Sequence, residues 1–238
     1  MCIIAIKFKG SDFIPAKNIK ACCDNNGDGF AMAWNHNGRL KVFKTMDKNE
    51  FIAHYITTIK ELDPKETGMV IHARIATHGS KRVENCHLWT EGDIAFAHNG
   101  ILSNIPARDD LTDSETFFRD YFLPVVRTNG WEFALKMSRA IIGSSKFAWI
   151  NANGDICPMG DYIKEEFDGL KGKHYFSNRS YIPRSDYYSR SAFISSAPSA
   201  KHRQKGAGDG PLVLIRDNDS RRFVKTGPQG SLFPQLSK

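Results

Sequence analysis

No stretch of this chain stays apolar for the roughly 18–20 residues that a membrane span needs, so no membrane partner is expected. The first residues lack the basic segment, apolar core and small-residue cleavage site of a secretion signal. Cysteines are few and odd in number: Cys2, Cys22, Cys23, Cys86 and Cys157. They form no even disulfide framework, which points to a reducing, cytoplasmic setting. There is no CxxC and no Cys/His spacing of the zinc-ligand kind, so neither a metal nor another cofactor is expected. Internal repeats are absent as well. Net charge is +7, but the excess is unevenly placed: residues 186–238 carry nine Lys or Arg against four Asp. That segment has no aromatic interleaving and no nucleic-acid motif. Nucleic acid is therefore not expected as a partner beyond a weak contact through the basic tail.

What is present is an ordinary globular composition, 41% hydrophobic and 25% charged over 238 residues. Alternation and turn signals place strands at 2–9, 30–34, 40–44, 69–73, 94–97, 146–151, 155–159 and 173–177. Helical spacing follows Pro15 and again follows Asp47, where Phe51, Tyr55 and Ile59 recur on one side. Asp113 heads a further helix with Phe117, Phe118, Tyr121 and Phe122, which Pro124 is expected to interrupt; another follows Asn129-Gly130. Strand-rich ends around a helical middle predict an α+β fold. Residues 1–185 read as one domain, and 186–238 as a basic, polar, flexible tail with one apolar island at Leu212–Ile215.

The chain opens Met1-Cys2-Ile3-Ile4-Ala5-Ile6, a cysteine at the head of a buried strand. If Met1 is removed, Cys2 carries a thiol and a free α-amine on one carbon. That amine has an ordinary pKa of about 7.7–8.0, so near neutrality it can take the thiol proton. The plainer alternative is a small apolar filler.

Further segments follow in order: Ile71-His72-Ala73-Arg74-Ile75-Ala76-Thr77-His78-Gly79, then Asn85-Cys86-His87, His98-Asn99-Gly100 and Thr112-Asp113-Ser114-Glu115. Asn26-Gly27-Asp28-Gly29-Phe30 and Tyr175-Phe176-Ser177-Asn178 are two softer features. With an N-terminal cysteine, this series resembles the class II glutamine amidotransferases, whose amidase domains are N-terminal-nucleophile hydrolases. The resemblance covers roughly residues 2–180 and implies a four-layer αββα sandwich of two antiparallel sheets.

It also implies roles. Cys2 is the nucleophile, and the Asn99 side-chain amide and Gly100 N–H form the oxyanion hole. Arg74 holds the substrate α-carboxylate, a task that suits a guanidinium fork, and Asp113 holds the α-ammonium. Thr77 and Gly79 shape the glutamine loop. Plainer readings stand beside these: an ion-paired Arg74, a helix cap at Asp113, an Asn-Gly hairpin turn at Asn99-Gly100. His72, His78, His87 and His98 read as structural, because the α-amine already supplies the base. The family's usual proline after the histidine of Asn85-Cys86-His87 is replaced by Leu88, which leaves the local turn open but not the chemistry.

The implied activity is hydrolysis of glutamine to glutamate and ammonia, the ammonia going to a separate synthase. One alternative is a free-standing γ-glutamyl amide hydrolase. Another is a binding module that kept the fold without catalysis.

Overall fold

The computed structural model describes residues 1–76, 79–105 and 111–186. The expectations for Thr77, for His78 and for the tail beyond Asp186 lie outside the described residues. Met1–Pro183 fall in one compact unit.

Six strands form the first sheet: β1 (Ile3–Lys7), β2 (Phe30–His36), β3 (Arg39–Thr45), β4 (Met69–Ala73), β9 (Ile163–Glu165) and β10 (His174–Phe176), in the order β3-β2-β4-β1-β10-β9. The second holds β5 (Trp89–Glu91), β6 (Ile94–Asn99), β7 (Lys146–Asn151) and β8 (Ile156–Met159), in chain order. Every ladder is antiparallel. Among the described residues there are five α-helices: α1 (Ala16–Asn25), α2 (Lys48–Glu61), α3 (Asp113–Thr116), α4 (Leu123–Asn129) and α5 (Trp131–Ile141). No described helix is long and apolar enough to cross a membrane.

The period-two alternation of the strands divides large residues from small ones. Ile3, Phe30, Met32, Met69, Ile71 and Phe176 turn to one face of the first sheet and pack with Ile19, Phe51 and Tyr55 of α1 and α2. Ile94, Phe96, Phe147 and Trp149 turn to the outer face of the second and pack with Phe118, Phe122, Trp131 and Ala134 of the later helices. The opposite faces carry Ile4, Ile6, Ala31, Ala33 and Val70 in one sheet and Ala95, Ala97, Ala148 and Ile150 in the other, all buried. Stacked sheets usually lie about 10 Å apart. Here β1 and β6, β4 and β7, and β2 and β7 bring Cα atoms within 8 Å, a closeness that alanine permits. The result is the expected helix–sheet–sheet–helix sandwich.

Local chemistry explains the ends of the elements. Asp47 caps α2, accepting from Asn49 N at 2.7 Å and Glu50 N at 2.9 Å, which contributes about 1 kcal/mol. Pro124 does not interrupt its helix. It stands at the start of α4, directly after a π-type segment, Phe117–Phe122. The wider turn shifts the hydrogen-bond ladder there, so the N–H that proline lacks falls at the changeover. Asp113 is not the cap of α3: Thr112 Oγ1 accepts from Glu115 N at 3.2 Å, and Asp113 is the first helical residue. Strands β5 and β9, three residues each, are too short to show a period in the sequence.

Candidate active site

Cys2 precedes β1, an interior strand of the first sheet. The β1–β4 register pairs Ile3 with Ala73, so Cys2 meets the chain as it leaves β4. Its Sγ lies 3.4 Å from both the nitrogen and the oxygen of Ile75. Burial pushes the thiol above its ordinary pKa, while the bond from Ile75 and the nearby Arg74 charge pull the other way. A desolvated thiol of this kind needs a base beside it to ionise. Met1 is 75% exposed and so open to removal.

The Asn26–Phe30 loop holds the segment after β4. Arg74 N donates to Gly29 O at 2.8 Å, Asp28 N to Arg74 O at 2.9 Å, and Ala76 N to the Asp28 carboxylate at 2.9 Å. Lys81 pairs with Asp28 at 2.6 Å. The Asp28 carboxyl consequently sits below its usual range, chiefly through Lys81 and Ala76. Arg74 itself is only 2% exposed and donates from Nη1 to Ser80 O at 3.0 Å. Gly79 has φ +74°; a Cβ there would lie 3.6 Å from Arg74 Nη2 and 3.2 Å from Thr112 Cγ2. The Arg74 guanidinium and the residue before α3 therefore both approach Gly79, whose positive φ favours a residue without a side chain.

Asn99 ends β6, and Gly100 follows with φ +149°. A Cβ on Gly100 would collide with Ser145 Oγ and come 2.9 Å from Ser145 Cα. The Asn99 side-chain amide lies 2.7 Å from Ser177 Oγ, and its Oδ1 has no hydrogen-bond partner among the described residues. Ser177 Oγ also accepts from Ile4 N at 2.8 Å, and Ser177 N donates to Ile4 O at 2.9 Å. Asn178 Nδ2 donates to the Cys2 carbonyl at 2.6 Å. The soft Tyr175–Asn178 feature thus ties the nucleophile strand to the asparagine.

Asp113 is tied to the segment after Gly100. Its Oδ2 accepts from Leu102 N at 2.9 Å and its Oδ1 from Ser114 N at 2.8 Å. Ser114 Oγ continues to His98 Nδ1 at 2.7 Å. Geometry therefore links Cys2 to Arg74 through Ile75, Cys2 to Asn99 through Ile4 and Ser177, Asp113 to the segment after Gly100, and its neighbour Thr112 to Gly79. Asp28, Ser177 and Asn178, each within a segment the sequence marks out, take positioning roles that residue type alone does not reveal. Thr112, in the Thr112–Glu115 stretch, acts as the helix cap, a role that its side-chain contact reveals.

His72 and His87 stack with ring centroids 3.8 Å apart, and His87 Nδ1 accepts from His98 N at 3.1 Å. The residue after His87, Leu88, has φ +66°, a region open neither to proline nor, without strain, to leucine. Proline, with φ fixed at about −65°, could not take this backbone conformation. Among the described residues no group of three or more His, Cys, Asp or Glu is arranged to hold a metal ion.

These histidines are neutral in the fold. Burial first, then mutual repulsion, pushes His72 down to about 3. Burial likewise takes His98 down to about 4, against a partly opposing pull from Asp113. His87 lies well below its ordinary value, again mainly by burial. In the unfolded chain each regains a pKa of about 6.5. From pH 6.5 down towards 4 the unfolded state binds more protons, so stability is full above 6.5 and falls with pH. Each such histidine contributes a slope of up to about 1.4 kcal/mol per pH unit. The melting temperature is expected to drop steadily between pH 6.5 and 5, above most carboxylate titration. A flat profile there would contradict neutral burial.

The family model for class-II glutamine amidotransferases matches residues 4–140, more than half of the 238-residue chain. A Haemophilus influenzae protein with a provisional glutamine amidotransferase name is 26% identical over 152 residues, 56% of this chain and 51% of that protein. A glutamine–fructose-6-phosphate aminotransferase of Zymomonas mobilis is 32% identical over 87 residues, 36% of this chain and 14% of the relative. This chain thus spans about half, or less, of the length of those relatives. The B. subtilis glutamine phosphoribosylpyrophosphate amidotransferase has the same fold, with a TM-score of 0.52 at 14% identity over 76% of this chain and 42% of that one. An allosteric regulatory enzyme of purine biosynthesis gives a TM-score of 0.54 at 16% identity, again over 76% and 42%. Matched by the family over that span and built as the sandwich of its solved relatives, the chain belongs to the class-II glutamine amidotransferases.

Proposed function

We propose that this chain hydrolyses the side-chain amide of glutamine through Cys2. The observation that carries the reading is the link from Cys2 along β1 to Asn99, made by Ile4 and Ser177. After Met1 is removed, the α-amine takes the thiol proton and sulfur attacks the amide carbon. Negative charge develops on the amide oxygen, where the Asn99 amide and Gly100 N–H donate to it. The carbon–nitrogen bond breaks as the α-ammonium returns its proton to the departing ammonia. Water, deprotonated by the same amine, attacks the thioester; the carbon–sulfur bond breaks, and glutamate leaves with the thiol restored.

Arg74 takes the α-carboxylate and Asp113 the α-ammonium, with Thr77 and Gly79 shaping the loop between them. If so, Arg74→Lys, which keeps the charge and loses the fork, should raise KM for glutamine about 10- to 100-fold with little change in kcat. That is the size of a lost charge-assisted bond made equally in ground and transition states. Asp113→Asn should act in the same direction without uncapping α3, since Thr112 holds the cap. Steady-state kinetics decide; an unchanged KM in both variants would leave only structural roles.

The activity is assigned to residues 1–185 in a reducing, cytoplasmic setting that keeps Cys2 a thiol. The ammonia goes to a separate acceptor. The test is glutamate release from glutamine beside a panel of γ-glutamyl amides, using protein with a free Cys2. Preference for another amide would favour the stand-alone hydrolase, and no turnover of any would favour a binding module.

A further inference from the structure

We propose that Ser177 is a positioning residue that sets the amide orientation of Asn99, and through it the oxyanion donor. The inference rests on the reading of Asn99 as that donor. Ile4 N–H can only donate, so at 2.8 Å Ser177 Oγ must accept from it. The hydroxyl then has one proton to give, and the Asn99 amide stands 2.7 Å away. With Nδ2 turned towards Ser177, the serine accepts twice while the buried Asn99 Oδ1 is left without a partner among the described residues. A serine oxygen can accept twice, so what is unmet is the Oδ1 acceptor and the serine proton; rotating the amide by half a turn pairs those two and leaves the Nδ2 protons for a bound substrate oxygen. The serine proton goes to Oδ1, and Nδ2 takes the position of the orphaned atom, with its protons directed away from Ser177. The oxygen and nitrogen of an amide are nearly identical in shape, and the hydrogen-bond network chooses between them.

Ser177 is well held for this task. It is 5% exposed, and its own N–H bonds Ile4 O at 2.9 Å. The next residue is fixed as well: Asn178 Oδ1 accepts from Ser180 N at 2.9 Å, which turns Nδ2 towards the Cys2 carbonyl. One dipeptide thus registers the nucleophile strand and orients the amide that faces the developing charge.

A double-mutant cycle tests this, on protein with a free Cys2 and with melting temperatures recorded alongside. Ser177→Ala should lower kcat about 10- to 100-fold, short of the loss of the donor itself, and leave KM nearly unchanged. Ser177→Thr, which keeps the hydroxyl, should restore most of it. In an Asn99→Ala background, Ser177→Ala should add less than about twofold, because the group it orients is gone. An equal drop in both backgrounds, or a wild-type kcat for Ser177→Ala beside an impaired Asn99→Ala, would overturn the proposal alone. A wild-type kcat for Asn99→Ala would overturn the oxyanion reading and this proposal with it. Should Ser177→Ala fail to fold, Ser177→Cys, similar in size but a poor donor and acceptor, is read in the same way.

Discussion

Cys2→Ala is expected to abolish glutamate release, and Cys2→Ser to lower it on the order of 10³-fold or more, with the fold intact in both. The expectation follows from what surrounds the sulfur. Cys2 precedes β1, so a smaller or isosteric side chain leaves the Ile3–Lys7 ladders undisturbed. The thiol is already raised by burial. A serine hydroxyl in the same place is far harder to ionise, and the α-amine is too weak a base to make up the difference. Circular dichroism and melting temperature check the fold, and coupled glutamate detection checks the rate. A Cys2→Ala protein with appreciable turnover would end the covalent mechanism.

Asn99→Ala carries the second large effect. Losing one preorganised oxyanion donor typically lowers kcat about 10²- to 10³-fold, with KM little changed. The alanine leaves Ser177 and Ile4 bonded to each other through the backbone, so stability should fall only modestly. Gly100, the other proposed donor, cannot be tested in this way. Its donor is the backbone, and any side chain meets Ser145 at φ +149°. Gly100→Ala is therefore a folding variant, whatever its catalytic role. A normal kcat for Asn99→Ala would reduce the Asn99-Gly100 pair to a strand end and turn.

The pattern of this chain shows where sequence reasoning reaches. The alternating strand after Asn37-Gly38, Arg39–Thr45, and the capped helix after Asp47 were legible because periodicity and capping are local. Trp89–Glu91 and Ile163–Glu165 were not, since three residues at a sheet edge show no period. The close approach of the sheets was hidden too: alanines at 31, 33, 95, 97 and 148 look unremarkable until their strands are stacked. At the site, residue types and order pointed to Cys2, Arg74, Asn99 and Asp113. The connections between them were out of reach, because Asn99 and Ile4 meet only through a serine 78 and 173 positions away. The helix cap was misplaced by one residue for a related reason. Thr112 and Asp113 both suit a cap, and the choice turned on Leu102, which occupies the aspartate.

The central claim is that the base is the amine of Cys2 itself, and its most direct test is to block that amine. Protein whose Met1 is retained behind an N-terminal extension, verified by mass, is compared with the same protein after proteolysis that leaves Cys2 first. The account predicts no glutamate release from the extended form, normal melting in both, and full release once Cys2 is free. Wild-type turnover by the extended protein, with its N-terminus confirmed intact, would contradict it.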